Sequence, residues 1–128
     1  MNDKFFYELI YSFPQLFPDG EESQILVPEG WIPLVRDLCK NIADYIETQS
    51  NMEVRVLQIK EKFGILKYCV YGEDDAIQTM IIESEEWSGT MCEVTGAKGF
   101  LCEKNGWLKT LSNKEAERLG YKKVNVYK

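Results

Sequence analysis

Apolar residues recur at the three-and-four spacing of a helix in several stretches of the chain, and at the two-residue spacing of a strand between them. Phe5, Phe6, Leu9, Ile10 and Phe13 form the first stripe. Asp3 is placed to cap that helix and Pro14 to stop it. Residues 18–30, PDGEESQILVPEG, combine proline and glycine with Asp19, Glu21 and Glu22, which predicts an acidic surface loop around a short apolar stretch. A longer helix follows. Trp31, Leu34, Leu38, Ile42, Tyr45 and Ile46 line one face and Arg36, Asp37, Lys40, Asn41, Asp44 and Glu47 the other, with Pro33 in the first turn and the end near Thr48.

From Glu53 the period becomes two. Val54, Val56 and Gln58 fall on one face and Arg55, Leu57 and Ile59 on the other, Lys60 to Gly64 make a turn, and ILKYCVY returns over residues 65–71, so 53–71 predicts a hairpin. Glu73, Asp74 and Asp75 sit where a helix start favours negative charge. Ala76, Ile77, Met80, Ile81 and Trp87 make that third helix's buried stripe, and Gly89 ends it. The last third reads as small pieces: strands over 91–94, 100–102 and 107–111, a type I′ turn at Asn105–Gly106, and a capping box of Ser112 and Glu115 opening a helix through Leu119. Gly120 takes the C′ position, and residues 121–127 can add a strand.

These elements predict one α+β domain over 1–128: two or three amphipathic helices packed on a small antiparallel sheet, then a C-terminal zinc-ribbon-like hairpin, free of metal, and a short helix. Length agrees, since 128 residues suit a single core. Charge divides the chain. Residues 1–96 carry 18 acids and 7 bases, whereas 97–128 carry 3 acids and 8 bases. The domain therefore reads as an acidic body, 1–90, and a basic ribbon-like subregion, 91–128. An acidic body repels nucleic acid and attracts basic proteins. No apolar run is long enough to cross a bilayer and no signal peptide is evident, which implies no membrane partner and a cytoplasmic address. Cys39, Cys69, Cys92 and Cys102 lack the tight spacing of a secreted disulfide scaffold, so reduced thiols are expected, with Cys39 and Cys69 buried in apolar patterns.

The chain contains no histidine, which removes Ser-His-Asp, Cys-His and His-metal arrangements. Neither KFG at 62–64 nor GAKG at 96–99 has the spacing or the following helix of a phosphate loop. Paired carboxylates such as Glu85 and Glu86 carry no catalytic information in so acidic a chain. No catalytic residue, metal or cofactor is expected. One spacing stands out: Cys92 with Thr95, and Ser112 with Glu115, each have two residues between them, and sixteen residues holding a glycine-rich hairpin separate the pairs, the layout of a zinc knuckle followed by a helix-borne ligand pair. Threonine and serine bind zinc poorly, so this reading predicts a metal-free ribbon held by hydrogen bonds and by packing of Phe100, Trp107 and Leu111.

The segment VRVLQIKEKFGILKYCVYG, followed by CEVTG and GWLKTLSNKEA, resembles a group of small uncharacterised bacterial and prophage proteins. Their hairpin reads close to KEKFG-x-L-x-F, and their ribbon carries CEVCG and GW-x-x-TLC-x-x-H. The resemblance covers residues 30–118 or thereabouts and implies zinc ligands at Cys92, Thr95, Ser112 and Glu115, of which only Cys92 keeps the ligand type. Zinc is therefore not implied for this chain.

Taken together, the residues point to a protein-binding module that is not an enzyme: an immunity or antitoxin-type inhibitor occluding a basic toxin such as a nuclease. The expected contacts are Glu21 and Glu22 in the loop, Glu73, Asp74 and Asp75 at one end of the third helix, Glu83, Glu85 and Glu86 near the other, and Tyr71 and Trp87 as aromatic anchors. The alternative is a prophage accessory protein whose Lys98, Lys104, Lys109, Lys114, Lys122 and Lys123 dock on a nucleic-acid-associated host complex. Oligomeric state is left open by the sequence.

Overall fold

The computed structural model describes residues 3–18, 20 and 23–124. In chain order they form α1 (Asp3–Ser12), β1 (Gln24–Ile25), a 3-10 turn (Glu29–Trp31), α2 (Ile32–Glu47), β2 (Arg55–Lys62), β3 (Ile65–Tyr71), α3 (Asp75–Ser88), β4 (Phe100–Lys104), β5 (Trp107–Leu111), α4 (Asn113–Leu119) and β6 (Lys122–Lys123). The strands make two three-stranded sheets, ordered β1-β2-β3 and β5-β4-β6. All pairings between strands are antiparallel except that of β1 with β2. The architecture is a single α+β domain. No helix among the described residues is long and apolar enough to cross a membrane.

The helices follow the apolar stripes. α2 buries Val35, Leu38, Cys39, Ile42 and Ala43 and accepts Pro33 in its first turn, where a missing N–H costs nothing. Asp74 caps α3 by accepting the Ile77 N–H at 2.9 Å. Ser112 caps α4 through the Glu115 N–H, and Gly120, with φ of 81°, closes it. The reciprocal half of the expected capping box is absent: the Glu115 carboxylate accepts from Arg118 at 2.7 Å.

Four expectations need correction. Residues 24–25 inside the acidic loop pair with β2 as a parallel strand, a segment too short to show a period. The β2–β3 register slips between Val56 and Gln58, so Leu57 is an extra residue and both Val56 and Ile59 point into the core. Simple alternation placed those two on opposite faces. Residues 91–94 do not form a strand. They fold back on themselves, with Cys92 N–H donating to Ala97 O and Gly96 N–H to Cys92 O, leaving a single bridge between Met91 and Lys98. Trp87 lies outside the buried stripe of α3, 64% exposed, and Ala76 is exposed as well, because only the Ile77 and Ile81 side of the helix meets the body.

Two apolar clusters result. The large one joins α1, α2, α3 and the first sheet around the fully buried Trp31. The small one holds Cys92, Cys102, Leu111 and Ala116 between the ribbon hairpin and α4, with Leu119 and Tyr121 against it. Trp107, expected in the small core, is 74% exposed. The two parts are welded by polar contacts: Gly30 N–H to Glu93 O at 2.7 Å, Trp31 Nε1–H to Met91 O at 2.8 Å and Thr110 Oγ1–H to Gly64 O at 2.7 Å.

Candidate functional site

A strand at a sheet edge exposes unpaired N–H groups, and α3 answers that need along β3. Leu66 N–H donates to Ser88 Oγ at 2.9 Å and Tyr68 N–H to a Glu85 carboxylate oxygen at 3.0 Å. Glu85 is thereby committed to the fold. Asp74 is committed likewise: beside its capping bond it accepts the Tyr45 hydroxyl at 2.5 Å. That hydroxyl, together with the Ile77 N–H, holds its carboxyl below the ordinary 3.8. Of the expected contacts, Glu21 and Glu22 lie outside the described residues. Tyr71 is exposed, but the Arg55 guanidinium stands 5.3 Å from its ring centroid and covers one face.

Glu73, Asp75, Glu83, Glu86 and Trp87 remain on the surface. They do not form one cluster. Asp75 and Glu83 are eight residues apart on the helix, about 12 Å along its axis at about 1.5 Å per residue. Glu83, Glu86 and Trp87, in contrast, share a face by their three-and-four spacing. Trp87 and Glu83 form the common wall of two surface hollows of about 410 and 220 Å³. The first is completed by Glu86 and Thr90; the second reaches α2 at Leu34, Asp37 and Asn41. None of the Asp37, Glu83 and Glu86 carboxylates makes a hydrogen bond or ion pair with another described side chain, whereas nearby Arg36 pairs with Glu8 at 2.6 Å and Lys40 with Asp44 at 2.8 Å. An exposed indole is left beside Glu83 and Glu86, which pair with no described cation, and beside Asp37, which feels the Arg36 charge without a direct ion pair. The sequence named Glu83, Glu86 and Trp87 but not Asp37, whose place opposite α3 depends on how two helices pack.

The four positions with zinc-knuckle spacing have other employment. Burial alone would raise the Cys92 thiol, but the Thr95 hydroxyl and the N–H groups of Ser112, Thr95 and Val94 aim at its sulfur and hold it below the ordinary 9.0. Ser112 accepts a cap bond and Glu115 pairs with Arg118. This donor set does not fit zinc, and no group of three or more histidine, cysteine or acidic residues able to hold a metal occurs among the described residues. The other thiols divide. Burial pushes Cys39, in contact with the Tyr68 hydroxyl at 3.0 Å, up to about 12, while Cys69, expected to be buried, is exposed because it alternates along β3 with the inward-facing Leu66 and Tyr68.

The basic residues of the ribbon are partly spent. Lys104 donates to Leu119 O at 2.9 Å, and Lys109 approaches Glu93 at 3.4 Å. Lys114 and Lys122 are exposed, and the ammonium groups of Lys98 and Lys123 stand 5.7 and 3.9 Å from the Phe100 ring centroid. One residue that sequence reasoning missed is Glu93, an acid 3% exposed. Its backbone N–H donates to Thr110 O at 2.8 Å and its carboxylate accepts Thr110 N–H at 2.9 Å, so one residue covers the β5 edge twice. An acid in an acidic chain gives no sign of this; only the rarity of buried carboxylates marks it once the fold is known. Comparison of the chain with protein-family models, curated proteins and solved structures returns no match.

Proposed function

We propose that the protein is a non-enzymatic binding module that occludes a basic protein partner, in the manner of an immunity or antitoxin-type inhibitor of a bacterial toxin such as a nuclease, and that it does so through the α2–α3 face at Trp87. The observation that carries this reading is the exposed indole beside Asp37, Glu83 and Glu86, none of which forms an ion pair with a described side chain. An indole flanked by carboxylates suits an arginine or lysine of the partner: the ring contributes about 0.5–2 kcal/mol to a cation above it. The carboxylates also raise the encounter rate. Tryptophan anchors of this kind dominate interface energetics.

The test is association with a basic protein, sought among the products of the genes adjacent to this one. Reversing Glu83 and Glu86 to lysine should slow association about tenfold or more and flatten its dependence on salt, and Trp87→Ala should speed dissociation. Kinetics unmoved by all three changes exclude this face.

The placement of Lys98 and Lys123 at the Phe100 ring supports a second reading, docking of the ribbon on a nucleic-acid-associated complex of a prophage host. Tight binding of the isolated protein to DNA or RNA, steeply weakened by salt, would favour it.

A further inference from the structure

The junction of the two sheets contains a cleft that shares no residue with the hollows at Trp87. It measures about 1020 Å³, and its apolar walls are Leu26, Val27 and Pro28 from the body against Val94 and Leu119 from the ribbon. Lys60, Glu61, Glu93 and Lys109 bring charge into it, with Glu29 at the margin. Apolar walls with a few convergent polar groups are the usual make-up of a small-ligand site. The same contacts that weld body to ribbon, Gly30 to Glu93 and Thr110 to Gly64, run beside the cleft and fix its shape before any ligand arrives. A preformed site spares the ligand the cost of ordering it.

Glu93 supplies the polar end. One carboxylate oxygen accepts the Thr110 N–H at 2.9 Å, but the other has only the Lys109 ammonium, at 3.4 Å, beyond the usual length of a charge-assisted bond. Each carboxylate oxygen can accept two hydrogen bonds, so this buried group in the cleft wall retains acceptor capacity. The half-buried Lys60 makes no side-chain hydrogen bond to another described residue, and Glu61 is turned to the Gly64 N–H.

We propose that this cleft binds an apolar α-amino-acid unit bearing a free ammonium group: the ammonium on Glu93, the adjoining carbonyl or carboxylate toward Lys60, and the side chain between Leu26, Val27, Val94 and Leu119. Charge balance selects this class. A purely anionic ligand would meet three carboxylates, Glu29, Glu61 and Glu93, against two ammonium groups. A neutral hydrocarbon would strip water from Glu93 and Lys60 and return nothing. A unit whose donor nitrogen and acceptor oxygen are three bonds apart, with an apolar branch between them, answers each wall. It can be a free amino acid or the first residue of a chain.

The experiment is an amide-resolved NMR titration of the whole protein with three probes: L-leucine, the tripeptide amide Leu-Ala-Ala-NH2, and N-acetyl-leucine. Saturable shifts at Leu26, Glu93, Val94 and Thr110 are expected with leucine, the tripeptide amide or both, and not with N-acetyl-leucine. Saturation by leucine alone identifies the free amino acid as ligand; saturation by the tripeptide amide identifies a chain terminus. Glu93→Gln keeps an acceptor for Thr110 N–H while removing the charge and should weaken binding at least tenfold. Because that residue also serves the fold, Leu26→Glu, at an exposed position, provides a second variant with the same expected loss. Absence of saturable shifts with both ammonium-bearing probes, equal binding of N-acetyl-leucine, or an affinity unmoved by both substitutions overturns the proposal.

Discussion

The body and the ribbon meet the same requirement, a buried centre, with unequal means. Among the described residues, nineteen buried apolar ones form the body's cluster, enough to anchor three helices on a sheet, whereas the ribbon's centre holds four. Four side chains do not hold a hairpin and a seven-residue helix together unaided, and small ribbons usually add a metal as a staple. Here the knuckle is held by backbone bonds from Cys92 N–H to Ala97 O and from Gly96 N–H to Cys92 O, and by grafting onto the body. The ribbon's stability is therefore borrowed, and the contacts through which it is borrowed should be the most sensitive points in the molecule.

Gly30 is the first of them. A Cβ there would stand 2.1 Å from Cys92 O, 2.6 Å from Gly96 N and 2.8 Å from the Glu93 carbonyl carbon, all backbone atoms with no room to yield. Gly30→Ala should cost about 3 kcal/mol or more, the upper range of overpacking. Urea unfolding measures the loss, and amide exchange should show the ribbon opening before the body. A ribbon that stays protected in this variant would mean that its own four-residue core suffices.

Thr110→Val tests the second graft more gently. The change nearly preserves volume at a fully buried position but removes the hydroxyl that donates to Gly64 O. A buried carbonyl left without its donor costs about 1–3 kcal/mol. Exchange at the turn of Phe63 and Gly64 should quicken together with that in β5.

The outline of this architecture was legible in the chain: the three long helices, both hairpins, the Asn105–Gly106 turn and the Gly120 cap follow from period and turn chemistry. The misses share a cause. The bulge at Leu57 and the short β1 arise from pairing between distant segments, which local alternation does not encode. The candidate face was half legible. Trp87 was assigned both to a buried stripe and to an interface, and only the helix's orientation against β3 decides for the surface. Glu93 and Gly30 gave no signal, because their roles exist only where ribbon meets body.

Glu93 gives the comparison a pH dependence. Burial raises its carboxyl above the ordinary 4.5, against the opposing Thr110 N–H. Between 4.5 and the elevated value the folded state holds more proton than the unfolded, so this group's contribution is full below 4.5 and declines as pH rises through the folded value. The stability of the natural protein relative to Glu93→Gln should accordingly fall as pH rises from 4.5 through the elevated folded value. A difference that is flat, or that grows with pH, would show a carboxylate well compensated in place.

The finest distinction lies within one turn of α3, where acids of equal formal charge have unequal duties. Glu85 caps the Tyr68 N–H on the edge of β3, so Glu85→Ala should destabilise by about 1 kcal/mol, the net worth of such a bond. Glu83 and Glu86 make no hydrogen bond or ion pair with another described side chain and repel each other at a spacing of three, so converting both to lysine should move stability by no more than about 0.5 kcal/mol. The order reverses for partner binding, where the double lysine variant loses association rate and Glu85→Ala keeps it. Measuring both quantities on both variants separates an acid that holds the fold from acids that are free to meet a cation. Equal effects on stability would return Glu85 to the surface set and remove the reason for treating the face as two of its three glutamates.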